Sequence, residues 1–148
     1  MNGYKRPESV LVVVHTATGK VLVMRRRDKP EFWQSVTGSM RWDEDAPVIT
    51  ARRELKEETG LTISGGLRDW DKTYRFKIMS QWAHRYAPGT CENVEHLFSL
   101  ELPGEATVTL NPNEHVEFAW LSFDEALTRV TSWTNREAIE LVQKAGGF

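Results

Sequence analysis

The sequence predicts a mixed α/β or α+β fold in which helices flank a central β-sheet. Short β-branched runs recur between turn residues, one middle segment has apolar residues at helical spacing, and two helix-capping patterns lie near the C-terminus. Elements of these kinds bury their apolar faces by packing helices on a sheet. The 148 residues give room for one hydrophobic core, so we expect a single domain over residues 1–148.

The first predicted elements are three strands. Residues 10–14 and 21–24 are short apolar runs rich in valine, and the polar residues 16–20 between them predict a hairpin. A third extended piece covers residues 32–36. We expect it to end before Gly38, which we place in a loop.

The middle of the chain, residues 45–59, is predicted to be a helix. Apolar residues recur at helical spacing from Val48 to Leu55, and Pro47 suits a first helical turn. Gly60 is the residue type that ends helices in the left-handed conformation, and an apolar residue follows it. We therefore expect the helix to stop just before this glycine.

The rest of the chain is predicted to alternate between strands and helices. Apolar runs predict strands at residues 74–78, 94–102 and 116–121. Two capping boxes, each with a hydroxyl residue three positions before a glutamate, predict short helices that open at Ser122-x-x-Glu125 and Thr134-x-x-Glu137.

Composition excludes several classes of protein. Nineteen lysines and arginines against 21 aspartates and glutamates give a net charge of −2, so no global positive field exists to bind nucleic acid. The longest aliphatic run, residues 10–14, is far shorter than a membrane span, and residues 1–7 lack an apolar signal core. Cys91 is the only cysteine, which excludes an internal disulfide and a multi-cysteine zinc site. We expect a cytoplasmic protein with neither nucleic-acid nor membrane partners; the sequence leaves its oligomeric state open.

An acidic cluster in the predicted helix is the most informative feature. Glu54, Glu57 and Glu58 stand at i, i+3 and i+4, so their carboxylates share one face. Like-charge neighbours of this kind destabilise a helix by about 0.2–0.5 kcal/mol each, and anions in a last turn oppose the helix dipole by about 0.3–1 kcal/mol. Arg53 offsets part of this through an i,i+4 pair with Glu57. The remaining charge needs a cation.

Three hard oxygen ligands without soft donors suit Mg²⁺ or Mn²⁺. The alternative is a solvated acidic face, and for an isolated E-x-x-E-E pattern that interpretation is the more common one. Here Gly38 and Glu44 precede a helix that carries an arginine and three glutamates, and this combination favours a metal site.

These residues resemble the Nudix hydrolase signature. The chain has Gly38-x5-Glu44 followed by Arg53-Glu54-Leu55-x-Glu57-Glu58-x-Gly60-Leu61. The resemblance implies an α/β/α sandwich with a mixed central sheet, and hydrolysis of a phosphoanhydride bond with a divalent metal. It implies catalytic roles for Arg53, Glu54, Glu57 and Glu114, and a metal site of Glu54, Glu57, Glu58 and Glu114. Either Glu114 or a glutamate of the signature would deprotonate the attacking water.

The chain departs from the signature at one point. Eight residues separate Glu44 from Arg53, where the family usually has seven. One extra helical residue rotates every later residue of the helix by about 100°, so the loop must absorb the shift. Placing Arg52 in the arginine position would replace the first glutamate by Arg53, and we reject that register because it breaks the contiguous half of the motif.

The resemblance extends to members of the family that cleave a pterin triphosphate, along nearly the whole chain. It rests on residues 4–7, 26–28, 32–39, 84–89, 113–115 and 132–140. It implies that the enzyme converts 7,8-dihydroneopterin triphosphate to the monophosphate and diphosphate in folate biosynthesis. It also implies substrate contacts by Lys5, Arg26 and Thr37, with the rest of the pocket lined by Phe76, Lys77, Ile78, Met79, His115 and Ser132.

Simpler interpretations stand beside these assignments. A triphosphate carries about four negative charges, which Lys5 and Arg26 would bind, but Arg26 could also lie on a solvated strand edge. Phe76 and Ile78 alternate and could be core residues, and Glu114 could be an exposed loop residue. Two rival functions also remain: a Nudix hydrolase of nucleoside triphosphates or dinucleoside polyphosphates, and a Nudix-fold sensor that binds a phosphorylated ligand without cleaving it.

Overall fold

A mixed β-sheet lies at the centre of the fold in the computed structural model, which describes residues 3–63 and 65–148. Within these ranges the sheet has seven strands: β1 (Glu8–Thr16), β2 (Lys20–Arg26), β3 (Trp33–Gln34), β4 (Val36–Ser39), β5 (Leu67–Lys77), β6 (Glu92–Leu102) and β7 (His115–Ser122). The α-helices of the same ranges are α1 (Pro47–Thr59), α2 (Phe123–Arg129) and α3 (Trp133–Gly146), and a 3-10 helix covers Ser80–Arg85.

Strand β1 lies in the middle of the sheet and has long-range partners on both sides. It runs parallel to β6 through nine residue pairs, from Glu8 opposite Val94 to Thr16 opposite Leu102. On its other side it pairs antiparallel with β4. Strand β5 pairs with β6, while β2 pairs with β3 and β7.

The predicted hairpin between β1 and β2 is correct at its turn but not along its strands. Among the described residues, the ladder between the two strands consists of the pair His15–Val21. Beyond that pair the two strands diverge, because β3 pairs with β2 at Met24 and Arg25 and β4 pairs with β1 from Ser9 to Val12.

Helices cover both faces of the sheet. Ala51 and Leu55 of α1 pack on one face, in a cluster with alternate residues of β1 such as Val12. Residues of α2 and α3, among them Ile139, pack on the other face with Leu11 and the remaining alternate positions. This is the predicted α/β/α arrangement with a mixed sheet, and the prediction is confirmed.

The third predicted strand is split, and the loop predicted at Gly38 is wrong. Residues 33–34 pair with β2, whereas residues 36–39 pair with β1. The second piece continues through Gly38 to Ser39 because both residues have partners on β1. Gly38 therefore belongs to β4, at the edge of the sheet nearest α1.

The ends of the helices agree with the sequence except at one position. Helix α1 begins at Pro47 and ends at Gly60, which has a φ of 76°, and the capping box at Ser122 opens α2 as predicted. Helix α3, however, begins two residues earlier than predicted. Its N-cap is Ser132, whose hydroxyl accepts from the backbone N–H of Asn135, and Thr134 is buried in the first turn.

Strand β5 is longer than its apolar run predicted. It begins at Leu67, and all of its first seven residues are exposed or partly exposed. Their backbone pairs with β6 around an irregularity between Asp69 and Thr73, so pairing rather than apolar character makes this segment a strand.

In the described part of the chain, each helix is too short or too polar to cross a bilayer.

Candidate active site

Arg53 of α1 is the centre of a charged network against β4. Its Nε and Nη2 donate to the two carboxylate oxygens of Glu44, both at 2.9 Å. Nη2 also donates to the carbonyl oxygen of Ser39 at 3.0 Å, and Nη1 donates to Glu54 at 2.8 Å and to Glu57 at 3.2 Å. The network holds the helix against the strand and orients the glutamates of the helix.

Glu44 makes further hydrogen bonds besides those with Arg53. Its carboxylate also accepts from the backbone N–H of Arg41 at 2.7 Å and from the hydroxyl of Thr50 at 2.8 Å. These bonds, above all those from Arg53, lower the pKa of Glu44 to about 2. Because Glu44 still reaches Arg53, the extra residue between them leaves this ion pair intact, while Arg52 is exposed.

Glu54 and Glu58, one helical turn apart, form a buried carboxyl pair. Glu58 is 3% exposed, and the two carboxyls hydrogen-bond each other. Burial raises the pKa of both groups, and the charge of Glu54 adds to the effect on Glu58. The backbone N–H of Thr37 approaches Glu58 Oε1 at 3.4 Å. The pair is therefore harder to ionise fully than two ordinary carboxyls, and a bound cation would favour its ionised form.

Gly38 makes room for this pair. A Cβ atom at position 38 would overlap the carboxyl group and the Cγ atom of Glu54. The absence of a side chain on β4 thus allows Glu54 to lie directly against the strand backbone.

Glu57 lies differently from its two neighbours. Its side chain is 44% exposed and contacts Arg53, together with Arg41 at 3.4 Å. In the described ranges, no three acidic, histidine or cysteine side chains converge closely enough to enclose an ion. The helix therefore presents one buried carboxyl pair and one carboxylate held by arginines, and a metal role for Glu57 stays a prediction.

Charged residues from other segments surround the pair. Glu114 is exposed in the loop before β7, and its charge contributes to the raised pKa of Glu58. Lys5 precedes β1, and its backbone N–H donates to the carbonyl oxygen of Arg85. Desolvation and the charges of Arg85 and Arg26 lower the pKa of the Lys5 ammonium, while Glu114 and Glu54 oppose this shift.

Arg26 lies at the end of β2 in a structured environment. Two nitrogens of its guanidinium donate to Asp28, each at 2.7 Å, and the group lies 5.1 Å from the ring centroid of Trp82 and 5.8 Å from that of Phe32. Its side chain is 19% exposed, which does not fit the alternative of a solvated strand edge. The bonds to Asp28 raise the pKa of Arg26, and the charges of Glu114 and Glu58 act in the same direction.

The residues that were predicted to line the rest of the substrate pocket lie in three places. Phe76 and Lys77 end β5, and Ile78 and Met79 follow; Phe76 is half-buried, Ile78 is buried, and the other two are exposed. His115 is buried at the start of β7, where its Nε2 contacts Gln34 at 3.0 Å. Burial lowers the pKa of His115 to about 4. Ser132 is occupied as the N-cap of α3.

The family follows from comparison with known proteins. The model of the NUDIX domain matches residues 5–142. The chain belongs to the Nudix family. It is 45% identical over 141 residues to dihydroneopterin triphosphate diphosphatase from Escherichia coli (strain K12), covering 93% of this chain and 92% of that protein. It is 41% identical over 144 residues to the Haemophilus influenzae protein of the same name, covering 95% and 89% of the two chains.

The solved structures agree with the sequence comparison. The structure of the E. coli dihydroneopterin triphosphate pyrophosphohydrolase superposes with a TM-score of 0.87 at 42% identity, over 95% of this chain and 97% of that one. The resemblance to the Nudix hydrolases that the signature residues indicated is therefore confirmed over nearly the full length of the chain.

Nudix hydrolases generally use divalent metals, typically Mg²⁺, and the residues of this chain fit such an ion. Glu54 and Glu58 are hard oxygen donors whose burial leaves them short of positive charge, and Gly38 keeps the space beside Glu54 open. Carboxylate oxygens of this kind are chemically suited to a hard divalent cation.

Sequence reasoning missed partners that are distant along the chain. Trp82 contacts the guanidinium of Arg26, and nothing in the spacing of the two residues along the chain predicts this contact. Gln34, the partner of His115, likewise carries no signal in the sequence. Asp28 stands two positions after Arg26, and this proximity was the available signal for that ion pair.

Proposed function

We propose that this Nudix hydrolase removes diphosphate from 7,8-dihydroneopterin triphosphate, leaving the monophosphate, as a step of folate biosynthesis. The observation that carries the proposal is the 45% identity, over more than nine-tenths of both chains, to the E. coli protein named for this activity. The arrangement on α1 supports the same reaction class, because buried carboxylates short of positive charge suit the metal-assisted hydrolysis of a phosphoanhydride.

We propose Mg²⁺ as the cofactor, with Mn²⁺ as a chemically suitable substitute. Glu54 and Glu58 would hold it, with Glu57 and Glu114 as further acidic ligands. When bound, a divalent ion neutralises phosphate oxygens and lowers the pKa of water. Arg53 orients Glu54 through its bond to that carboxylate. Either Glu114 or a glutamate of the signature removes the proton of the attacking water, so both assignments stay open.

The substrate contacts form a second part of the proposal. Lys5 and Arg26 would bind the phosphate chain, because ammonium and guanidinium groups form charge-assisted hydrogen bonds with phosphate oxygens. Both groups lie within electrostatic reach of Glu114. Thr37, whose backbone N–H approaches Glu58, would also contact the substrate. The remaining lining would come from Phe76, Lys77, Ile78, Met79, His115 and Ser132.

Three broader expectations belong to the same proposal. We propose that residues 1–148 act as one catalytic domain and that its partner is a small-molecule triphosphate rather than a nucleic acid or a membrane. We also propose a cytoplasmic location, in line with the single cysteine.

The test is release of diphosphate from 7,8-dihydroneopterin triphosphate, with Mg²⁺ and with EDTA, compared with nucleoside triphosphates and dinucleoside polyphosphates. We expect metal-dependent release, with kcat/KM for the pterin well above that for every nucleotide. Cleavage of nucleotides alone would retain the hydrolase and refute the substrate. Binding without cleavage of any substrate would instead favour a sensor.

A further inference from the structure

A group of buried polar atoms lies on the sheet face that α3 covers, outside the network of Arg53. Within the described residues, Glu95 Oε1, Asn93 Oδ1 and Tyr74 Oη have no hydrogen-bond partner. The three residues are between 2% and 5% exposed. Tyr74 lies directly opposite Glu95 across the β5–β6 ladder, and Asn93 is two positions from Glu95, so all three side chains share one face.

Burial without partners is unusual for such groups. A buried carboxyl with an unpaired oxygen is destabilising unless another molecule satisfies it. The hydroxyl of Thr134 hydrogen-bonds the Glu95 carboxyl but leaves Oε1 unpaired, and burial raises the pKa of Glu95 to about 7. The amide of Asn93 donates to Ser9 at 2.7 Å, which leaves its carbonyl oxygen unpaired. The unpaired oxygens of Glu95 and Asn93 are acceptors, and the Tyr74 hydroxyl can donate or accept. A ligand that satisfied the carboxyl and amide oxygens would therefore carry donors.

The position of Glu95 relates it to the phosphate-binding part of the site. Ser9 on β1 is opposite Glu95 on one side and opposite Ser39 on the other. The carbonyl of Ser39 is bonded to Arg53. Two strand spacings, about 10 Å, therefore separate the backbone of Glu95 from that of β4. The carboxyl pair approaches β4 from the face that α1 covers, whereas Glu95 lies on the face that α3 covers. A ligand that contacts both would therefore pass the edge of β4, with its ring joined to its phosphates by a short chain.

Aromatic groups border the same cluster. Phe76, a predicted ring-lining residue, is opposite Asn93 on β5. The ring of Trp133 lies edge-on to that of Tyr74 at 6.2 Å, and Trp133 is 49% exposed. A flat heterocycle that enters here would meet aromatic surfaces and reach acceptor atoms at its edge.

We propose that Glu95 is a specificity-determining residue that accepts hydrogen bonds from the two adjacent N–H donors of a 2-amino-4-oxopyrimidine edge. A carboxylate has two parallel acceptor oxygens, and this edge has an amino group next to a ring N–H. Adenine and cytosine offer one donor next to an acceptor there, and uracil has one donor between two acceptors. Guanine presents the same two donors as a pterin. A pterin ring carries the matching edge, so the assignment rests on the proposed function and names a contact that favours its ring over adenine, cytosine and uracil.

The first test needs no variant. Neopterin and the lumazine that carries an oxo group in place of its 2-amino group differ only at the proposed contact. Fluorescence titration of the unmodified protein should give a neopterin affinity at least about tenfold higher, because the lumazine leaves an acceptor of Glu95 unpaired. Equal affinities, or no binding of neopterin, would overturn the assignment.

The second test is Glu95→Gln, with Glu101→Gln as the matched control at the exposed end of the same strand. Glutamine presents one acceptor and one donor, so kcat/KM for 7,8-dihydroneopterin triphosphate should fall about 100-fold, chiefly through KM. Turnover of ATP should stay within about twofold, and the control should match the unmodified protein. An equal loss on both substrates would indicate a structural role and overturn the proposal.

The two proposals fail in different ways. Failure to cleave the pterin triphosphate, together with neopterin binding that depends on Glu95, would refute the proposed function and retain the ring contact. Cleavage of the pterin with unchanged kinetics in Glu95→Gln would refute the ring contact and retain the function.

Discussion

Replacing Glu44 by glutamine tests whether the ion pair with Arg53 survives the extra residue between them. The pKa of Glu44 is lowered from 4.5 to about 2, and the side chain is 8% exposed, so solvent screens the pair only weakly. Lowering the pKa to this extent corresponds to about 3 kcal/mol of folding free energy at neutral pH. We expect Glu44→Gln to lose this amount in denaturant unfolding at pH 7.

The pH dependence gives the same prediction a sharper form. Because the folded-state pKa lies below the unfolded one, the contribution of Glu44 is complete above about pH 4.5 and is lost as the pH falls toward 2. The gap in unfolding free energy between the two proteins should therefore shrink from about 3 kcal/mol at pH 7 to about 1 kcal/mol at pH 3.

The assay is guanidinium unfolding at a series of pH values between 7 and 3. Asp43→Asn is the matched control, because it removes a carboxylate at the adjacent, exposed position. Its unfolding free energy should stay within about 0.5 kcal/mol of that of the unmodified protein. If the unfolding free energy of Glu44→Gln ran parallel to that of the unmodified protein across this range, the proposed pairing energy would be refuted.

Three further substitutions test the candidate site. Gly38→Ala should displace the Glu54 carboxyl and lower kcat about 100-fold; Gly104→Ala, which adds a Cβ in open space, should have no effect. Glu58→Gln should abolish turnover. In EDTA the melting temperature of this variant should not be lower than that of the unmodified protein, since burial disfavours the charge that the substitution removes. Addition of Mg²⁺ should raise the melting temperature of the unmodified protein and leave that of the variant unchanged. Arg26→Ala should raise KM far more than it lowers kcat, and an unchanged KM would refute its phosphate contact.

Local patterns predicted the parts of the fold that depend on nearby residues. The helix from Pro47 to Gly60 followed from apolar spacing and a left-handed glycine, and the capping box at Ser122 followed from two residues three positions apart. The mutual placement of Arg53 and Glu57 likewise depends on helical geometry alone.

Features that depend on tertiary pairing could not be predicted in this way. Gly38 has no local signal for a strand, because its place in β4 is set by pairing with β1. The start of α3 at Ser132 rather than Thr134 is fixed by Asn135, whose side chain accepts from the backbone N–H of Ser35, a hundred positions away. No local sequence pattern distinguishes the buried Glu95 from an exposed strand residue, because its burial depends on the helix that packs over this face of the sheet.

The parallel ladder between β1 and β6 has a consequence for the order in which the chain folds. Its nine pairs join the first strand to a segment that ends at Leu102, so the sheet centre cannot form until two-thirds of the chain has left the ribosome. Until then one edge of the apolar strand β1 is unpaired, and helix α1 can pack only against an incomplete sheet. Sequence-distant closure of this kind is slow compared with helix formation. We therefore expect β1 to stay exposed, or to be bound by a chaperone, until the central sheet has formed and the acidic helix α1 can pack against it.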